Sequence, residues 1–289
     1  MAAVIEIQNL VKNFVLPFTR KRIRALDSLS FSVQEGGIVG FLGANGAGKT
    51  TALKCILQLI FPDSGKIQIY GKEQSGQNLK SKIGFLTERP YFYDHLTGRE
   101  FLKFCAQLYN SGEALSRVEP LLEEVGLGDR ADRHLRKFSK GMLQRIGIAQ
   151  ALINDPKILI LDEPMSGLDP DGRAEMSKII SKAHRRGATI LFSTHLLPDV
   201  ENLCERVIMI DNGKLVIESS VTELLSSHTS GYLLEFRKNQ KIENKTFLTD
   251  SELQAGIDEV RKQGMTIERV APIRPSLEEV FLKLKRATS

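Results

Sequence analysis

The chain has 289 residues, of which 42% are hydrophobic and 26% are charged, and its formal net charge is +5. This composition is typical of a soluble globular protein with a sizeable core, and the mild positive charge permits an anionic ligand or a membrane surface as partner without favouring either. The three cysteines are widely spaced, which excludes a disulfide framework or a cysteine-rich metal site and indicates a reduced, cytoplasmic compartment.

The first residues lack the basic segment and apolar core of a secretory leader. No apolar run approaches the ~18 residues that a membrane helix needs. If the protein works at a membrane, we expect a partner protein to supply the membrane spans.

Residues 1–36 have the pattern of strands and turns. Residues 4–7 and 29–33 alternate between apolar and polar side chains, as half-buried strands do. The basic stretch between them, residues 18–24, is interpreted as a solvated hairpin tip, and contact with lipid headgroups is the alternative.

A glycine-rich segment follows the short apolar run at residues 38–42 and precedes a predicted helix from about 49 to 60. Residues 43–50 match the phosphate-loop pattern G-x-x-x-x-G-K-[ST] in the strand–loop–helix context that it requires. Glycines let backbone N–H groups surround a β-phosphate, and the helix start adds its positive end. The predicted nucleotide contacts are Gly43, Asn45, Gly46, Ala47, Gly48, Lys49, Thr50 and Thr51.

Within this loop, each polar side chain has a separate predicted task. Lys49 is expected to contact the β- and γ-phosphates, the Thr50 hydroxyl to ligate Mg²⁺, and Thr51 to contact the α-phosphate. A chance glycine-rich turn is the structural alternative, and the surrounding elements argue against it.

The second half of the chain alternates strands and helices, after a mainly helical stretch at residues 95–153. Continuous apolar runs at residues 157–161 and 188–192 predict buried parallel strands, and the helix at about 171–186 connects them. Residues 206–215 predict a hairpin with an Asn-Gly turn. The order indicates an α/β domain with a parallel sheet.

Asp162 and Glu163 end the first of these buried strands, at the sheet edge where ligands of α/β proteins bind. We expect Asp162 to hold Mg²⁺ and Glu163 to act as general base toward the attacking water. The structural alternative is a strand end that merely places two acids in solvent.

Two further residues have local explanations as helix caps. Ser139 can cap the helix at residues 140–152, and Asp169 followed by proline is a good helix start. A functional role for either residue needs another argument.

The order of the motifs over residues 4–220 resembles that of ABC-type ATPases, and this resemblance implies a functional role for both residues. Residues 43–50 match Walker A and residues 158–163 match Walker B. The adenine-stacking aromatic, signature motif, D-loop and H-loop correspond to Phe14, residues 138–145, residues 166–169 and residues 193–195. The resemblance implies a P-loop ABC ATPase fold of the α/β class, in which a mixed sheet carries a helical subdomain and an N-terminal antiparallel β part.

The family works as a head-to-tail dimer, and this implies further site residues. Ser139 and Gly141 would face the γ-phosphate of the partner's ATP, and Asp169 would lie at the same nucleotide site. His195 would contact the γ-phosphate from the first subunit, so that Lys49, Glu163 and His195 form the catalytic set.

Two positions depart from the common family pattern. Lys140 stands where the signature usually has glycine, which we interpret as a tolerated variant. Glu88 stands where the Q-loop glutamine is expected. A carboxylate can still meet Mg²⁺, so the expected metal residues are Thr50, Asp162 and Glu88.

Aromatic residues follow Glu88 directly. In the family this region receives a helix of the membrane subunit, so residues 91–93 are interpreted either as part of a docking pocket or as core. Phe101 and Phe104 are expected in the core because they lie one helical turn apart.

The domain boundaries expected from the sequence are 1–221 for the ATPase domain, with the helical subdomain at about 90–155, and 222–289 for a small C-terminal α+β domain. Residues 275–282 resemble the closing segment of ATPases that serve ABC-2 exporters. A capping box formed by Ser276 and Glu279 also explains that segment.

The resulting hypothesis is an ATP-binding and ATP-hydrolysing subunit of an ABC transporter, of exporter type, with ATP and Mg²⁺ as cofactors. It would act as a homodimer with a transmembrane permease at the cytoplasmic face of the membrane, without nucleic acid. One alternative is a soluble ABC ATPase acting on ribosomes or DNA, but the chain has one ATPase unit and no long coiled-coil insertion. Another is a small-molecule kinase, against which the signature and H-loop argue.

Overall fold

The computed structural model describes residues 3–16, 20–73, 81–109, 112–227, 230–238, 241–273 and 276–281. Contacts between residues divide the chain into two compact units, Met1–Ser219 and Ser220–Ser289, close to the predicted boundary after residue 221. Residues 18 and 19 of the basic stretch, and residues 275 and 282 of the closing segment, lie outside the described residues.

The first unit contains two sheets. Its described strands are β1 (Ala3–Val15), β2 (Arg22–Gln34), β3 (Ile38–Leu42), β4 (Ser64–Ile69), β5 (Lys72–Glu73), β6 (Ile83–Leu86), β7 (Ile158–Asp162), β8 (Thr189–Thr194), β9 (Arg206–Asp211) and β10 (Lys214–Ser220). The strand orders are β2-β1-β4-β5 and β10-β9-β3-β8-β7-β6. The first sheet is antiparallel, and strands β3, β6, β7, β8 and β9 of the second are parallel. The predicted α/β class with an N-terminal antiparallel part is confirmed.

The parallel strands bring distant segments of the sequence to one edge. Strand β8 lies between β3 and β7, with Asp162 paired to Ser193 and Leu42 paired to Thr194. All residues of β3, β7 and β8 are buried, as their continuous apolar sequences predicted. The phosphate loop after β3 and the acidic pair at the end of β7 are therefore separated by a single strand.

The described helices of this unit are α1 (Lys49–Ile56), α2 (Gly98–Gln107), α3 (Gly112–Ser116), α4 (Val118–Glu124), α5 (Lys140–Leu152), α6 (Pro170–Arg185) and α7 (Leu197–Leu203). Ser139 caps α5 and Asp169 caps α6, as predicted. The prediction that α1 continues to about residue 60 is wrong. Gln58 adopts a left-handed backbone with φ of 55°, and the N–H of Leu59 donates to the carbonyl of Lys54. This bond closes the helix early.

The aromatic residues after β6 divide between core and surface. Phe92 and Phe101 are buried and meet edge to face at 5.2 Å. Tyr91 and Tyr93 are exposed. The prediction that Phe104 belongs to the core is wrong, because its side chain is 39% exposed and lies against Tyr93. In α2 the buried face is formed by positions 101, 102, 105 and 106, and position 104 points away from the middle of that face.

The second unit is a small α+β body. It contains α8 (Val221–Ser226), β11 (Gly231–Lys238), β12 (Lys241–Phe247), α9 (Asp250–Lys262) and β13 (Thr266–Ile273). The antiparallel sheet has the order β12-β11-β13 and packs on α9. Its core contains Leu234, Phe236, Leu253 and Val260. In the described residues 276–281, the N–H of Glu279 donates to the Ser276 hydroxyl at 3.3 Å, so Ser276 caps this segment.

Candidate functional site

A cleft of about 320 Å³ opens where the phosphate loop meets the carboxyl ends of the parallel strands. The predicted loop residues that line it are Asn45, Gly46, Gly48, Lys49, Thr50 and Thr51. Glu88, Glu163 and His195 line it from other segments. The structure therefore brings together residues from four separate parts of the sequence.

The phosphate loop needs its glycines for two physical reasons. Gly46 and Gly48 have φ of 84° and 106°, a left-handed conformation that disfavours side chains. At Gly48 a Cβ atom would lie 2.5 Å from the carbonyl oxygen of Ala25, and at Gly43 it would lie 2.6 Å from that of Ile210. The loop is thus held closely against strands β2 and β9.

Lys49 begins α1, and its side chain is only 6% exposed. Its ammonium group donates to the carbonyl oxygens of Gly43 at 2.7 Å and Ala44 at 3.3 Å. It also lies 3.2 Å from Oε1 of Glu163. A buried charge needs such partners, and the two carbonyl groups place the ammonium group at the phosphate loop.

Glu163 connects Lys49 to His195. Its second carboxylate oxygen, Oε2, lies 2.8 Å from Nδ1 of His195. Its backbone has φ of 49°, and its N–H donates to the hydroxyl of Ser193 at 2.9 Å. This conformation turns Glu163 out of the line of β7, and the neighbouring strand β8 holds it there.

Asp162 is 1% exposed and accepts two hydrogen bonds at Oδ1. The donors are the hydroxyl of Ser193 at 2.6 Å and the hydroxyl of Thr50 at 3.2 Å. Among the described residues there is no group of three or more His, Cys, Asp or Glu side chains that could hold a metal ion. Mg²⁺ in nucleotide sites commonly takes only one or two protein ligands besides phosphate and water, so the adjacent Thr50 and Asp162 oxygens fit it.

Glu88 lines the same cleft from the segment after β6. Its side chain is 43% exposed, and one carboxylate oxygen lies 3.7 Å from the guanidinium of Arg89. The expectation that Glu88 contributes to metal binding stays a prediction.

Six predicted nucleotide residues lie outside the lining of this cleft, and two of them, Gly43 and Ala47, belong to the phosphate loop itself. Phe14 is 40% exposed on β1, with the Lys12 ammonium 5.7 Å from the ring centre. Ser139 accepts from the N–H of Met142, and Asp169 accepts from the N–H of Gly172, so both serve as caps of their own helices. Gly141 lies in the first turn of α5. Their contacts with nucleotide stay predictions.

The sequence interpretation assigned no individual role to several residues of the site, although Ser166 and Ser193 lie in the segments matched to the D-loop and the H-loop. Ala25 and Ser166 line the cleft, and Ser193 bonds both Asp162 and Glu163. Asp199 is 7% exposed beside the His195 loop, the segment of residues 195–196 between β8 and α7. Burial raises the pKa of its carboxyl above the ordinary value, although the charge of Arg173 acts in the opposite direction. The only local signal for Asp199 was an acid in the first turn of a proline-initiated helix.

Known proteins share this arrangement of motifs. A family model described as ABC transporter matches residues 26–166. An uncharacterized ABC transporter ATP-binding protein of Nostoc is 40% identical, with 91% of this chain and 83% of that protein covered. The bacitracin transport ATP-binding protein BcrA of Enterococcus faecalis is 35% identical, with 98% and 97% covered.

The chain belongs to the ATP-binding proteins of ABC transporters. This ABC protein also resembles a solved ATP-binding subunit of an ABC transporter, with a TM-score of 0.71, 26% identity and coverage of 98% of this chain and 99% of the other. The dimeric post-hydrolysis cassette MJ0796 bound to ADP and Pi gives a TM-score of 0.68 at 25% identity, covering 75% and 98%.

These findings confirm the ABC ATPase fold and the assignment as an ATP-binding, ATP-hydrolysing transport protein. Across the described ranges of this ABC subunit, no helix is both long and apolar enough to cross a membrane.

Proposed function

We propose that this ABC subunit powers an exporter by hydrolysing MgATP between two copies of itself. The observation that carries the hydrolytic part is the contact chain from Lys49 through Glu163 to His195 at the edge of the cleft. It joins the cation proposed to bind phosphate, the carboxylate proposed as the base and an imidazole within one cleft.

Binding of the triphosphate would use the charges that the site already gathers. The backbone N–H groups of the loop and the start of α1 favour an anion. Lys49 would exchange its contact with Glu163 for the β- and γ-phosphates, which carry more negative charge. Thr50 and Asp162 would hold Mg²⁺, whose charge offsets that of the phosphates, and Glu88 would lie beside them.

Release of Glu163 from Lys49 leaves its carboxylate available to a water molecule. In the proposed reaction Glu163 takes a proton from the water molecule, and the water oxygen attacks the γ-phosphorus. The bond from the γ-phosphorus to the bridging oxygen then breaks, giving ADP and phosphate. His195 would hold the carboxylate in position and contact the γ-phosphate.

The second half of the site would come from another copy of the chain. Ser139 caps α5 and Gly141 lies in its first turn, where backbone N–H groups could face the γ-phosphate of ATP bound to the partner. Asp169 would lie near the same boundary, and Phe14 would stack on adenine. The similarity to the dimeric MJ0796 cassette supports a dimer, and the head-to-tail arrangement is implied by the family resemblance of the motifs.

A transmembrane permease would supply the transport path, with this subunit at the cytoplasmic face of the membrane. The similarity to a bacitracin transport ATP-binding protein supports a role in transport. The exporter direction rests on the resemblance of residues 275–282 to the closing segment of ATPases that serve ABC-2 exporters. The exposed aromatic side chains of Tyr91, Tyr93 and Phe104 follow the cleft residue Glu88 and give a surface for the permease.

The test uses Glu163→Gln in the full-length protein, because this change removes the base while keeping the size of the side chain. In excess MgATP we expect turnover to fall about a thousandfold and the variant to accumulate as a nucleotide-filled dimer. Size-exclusion chromatography with light scattering measures the dimer.

Glu243→Gln, on the exposed strand β12, is the matched control and is expected to keep parental turnover. A Glu163→Gln protein that hydrolyses ATP normally, or that stays monomeric with ATP bound, contradicts the proposal. Pull-down of the tagged chain from detergent-solubilised native membranes tests the permease. A multi-span protein in equal amount supports the transporter assignment, whereas ribosomal or DNA-binding proteins favour the soluble alternative.

A further inference from the structure

Asp199 is a buried carboxylate that the hydrolytic mechanism above does not use. It lies in the first turn of α7, only a few residues after His195, and its side chain is 8% exposed. Burying a carboxylate is costly unless hydrogen bonds or opposite charges compensate it. The contacts of Asp199 therefore indicate why an acid stands at this position.

The first contact leads to the backbone around His195. The hydroxyl of Thr194 donates to Oδ2 of Asp199 at 3.4 Å. The same hydroxyl accepts from the N–H of Leu196 at 3.0 Å. His195 is the residue between these two, so Asp199 orients the hydroxyl that fixes the chain on both sides of His195.

The second contact leads to helix α6. The guanidinium of Arg173 lies 3.8 Å from Oδ1 of Asp199. The N–H of Arg173 donates to the carbonyl of Asp169, the capping residue of α6. Asp199 thus connects the His195 loop with the helix that follows Ser166, a lining residue of the cleft.

These contacts compensate the buried charge only in part. Burial raises the pKa of the Asp199 carboxyl, and the charge of Glu163 acts in the same direction. Arg173, Thr194 and His195 act against the rise. Because burial raises the pKa of this carboxyl in the folded state, its ionised form lowers folding stability at neutral pH. This cost disappears only at low pH, where the carboxyl is protonated. The charge is therefore poorly explained by folding alone.

We propose that Asp199 is a positioning residue that aims His195 at Glu163 and couples this orientation to the turn before α6. The inference rests on the proposed function of Glu163 and His195. Nucleotide binding by the phosphate loop does not involve Asp199, so its removal affects the chemical step and spares ATP affinity.

The test compares steady-state MgATP hydrolysis by full-length Asp199→Asn and Asp199→Ala with the parent chain. We expect kcat to fall about tenfold while KM for ATP stays within about twofold, because a misplaced imidazole lowers the rate without changing the phosphate loop. The melting temperature of Asp199→Asn at pH 7 is expected to equal or exceed that of the parent, since the buried charge is gone.

Two further variants separate positioning of His195 from the general effect of an acid in the first turn of a helix. Thr194→Val removes the intermediate hydroxyl and should lower kcat in the same way, and combining it with Asp199→Asn should add little. Asp250→Asn changes an exposed acid in the first turn of α9 and should leave kcat unchanged.

An unchanged kcat in Asp199→Asn overturns the proposal. So does a joint fall of kcat, ATP affinity and melting temperature in that variant, because it marks a purely structural residue. Glu163→Gln serves as the reference. If that variant keeps full turnover, the proposed function itself fails. If it is inactive while both Asp199 variants turn over normally, only the positioning role is excluded.

Discussion

Helices α1 and α5 both begin at segments that the sequence assigns to phosphate binding, yet their surroundings differ. At the start of α1, the ammonium of Lys49 is buried and contacts loop carbonyls and Glu163. At the start of α5, Ser139 and Lys140 are exposed, and the Ser139 hydroxyl accepts from the N–H of its own helix. All the groups that surround Lys49 in the first site come from one chain. In the second site, one chain supplies only a capped helix start.

Because their surroundings differ, substitutions in the two segments should have different effects. A change at the first should act within one chain, by removing a buried charge from the cleft. A change at the second combines a small local effect on the helix with a larger effect that appears only when two copies meet.

Lys49→Ala is the largest expected break of the first site. Removing a buried cation aimed at the phosphates should lower kcat/KM for ATP by about a thousandfold. Lys54→Ala, on the last turn of the same helix, is the control and should retain turnover. Hydrolysis at the parental rate by Lys49→Ala would show that the cleft is not the site of ATP hydrolysis.

Ser139→Ala addresses the second site and should reduce turnover by about a hundredfold, since a group facing the transferred phosphate is lost. The loss of a cap should also lower stability by about 1 kcal/mol. Ser220→Ala, which removes the cap of α8, provides a matched stability loss without a loss of turnover. Equal turnover in the two variants would show that Ser139 acts only as a cap.

Gly213→Ala sharpens the description of the first site with a smaller effect. The N–H of Gly213 donates to the carbonyl of Ala47 in the phosphate loop at 2.9 Å. A Cβ there would lie 2.6 Å from the carbonyl oxygen of Ala25. Displacement costing about 1 kcal/mol should raise KM for ATP roughly fivefold.

Gly187→Ala is the control for backbone strain. Gly187 also has a positive φ, of 95°, but no atom lies within 4 Å of its ideal Cβ position. If both variants raise KM equally, the contact of the hairpin turn with the phosphate loop is unimportant for ATP binding.

The sequence predicted the parts of the site that depend on local pattern. The phosphate loop, the acidic pair at the end of β7 and the caps of α5 and α6 each follow from a few adjacent residues and their periodicity. The early end of α1 and the exposure of Phe104 were missed, because the same short spacings fit both outcomes.

The residues missed at the site depend on contacts between distant segments. Ser193 bonds Asp162 and Glu163 because β7 and β8 are neighbours in a particular register. Asp199 is buried because α6 and the His195 loop meet around it. The apolar pattern of a strand predicts that it is buried, but it does not predict the register that decides which side chains of neighbouring strands face each other.

Mixing Lys49→Ala and Ser139→Ala chains, both carrying Glu163→Gln, tests the shared site most directly. Each variant alone should fail to retain ATP, since each dimer lacks one half of both sites. In the mixture, heterodimers contain one intact site formed by the Lys49 of one chain and the Ser139 of the other. If the ATP site is shared between two chains, labelled ATP co-elutes with the dimer only in the mixture. A mixture that retains no more ATP than the separate variants would contradict the shared site.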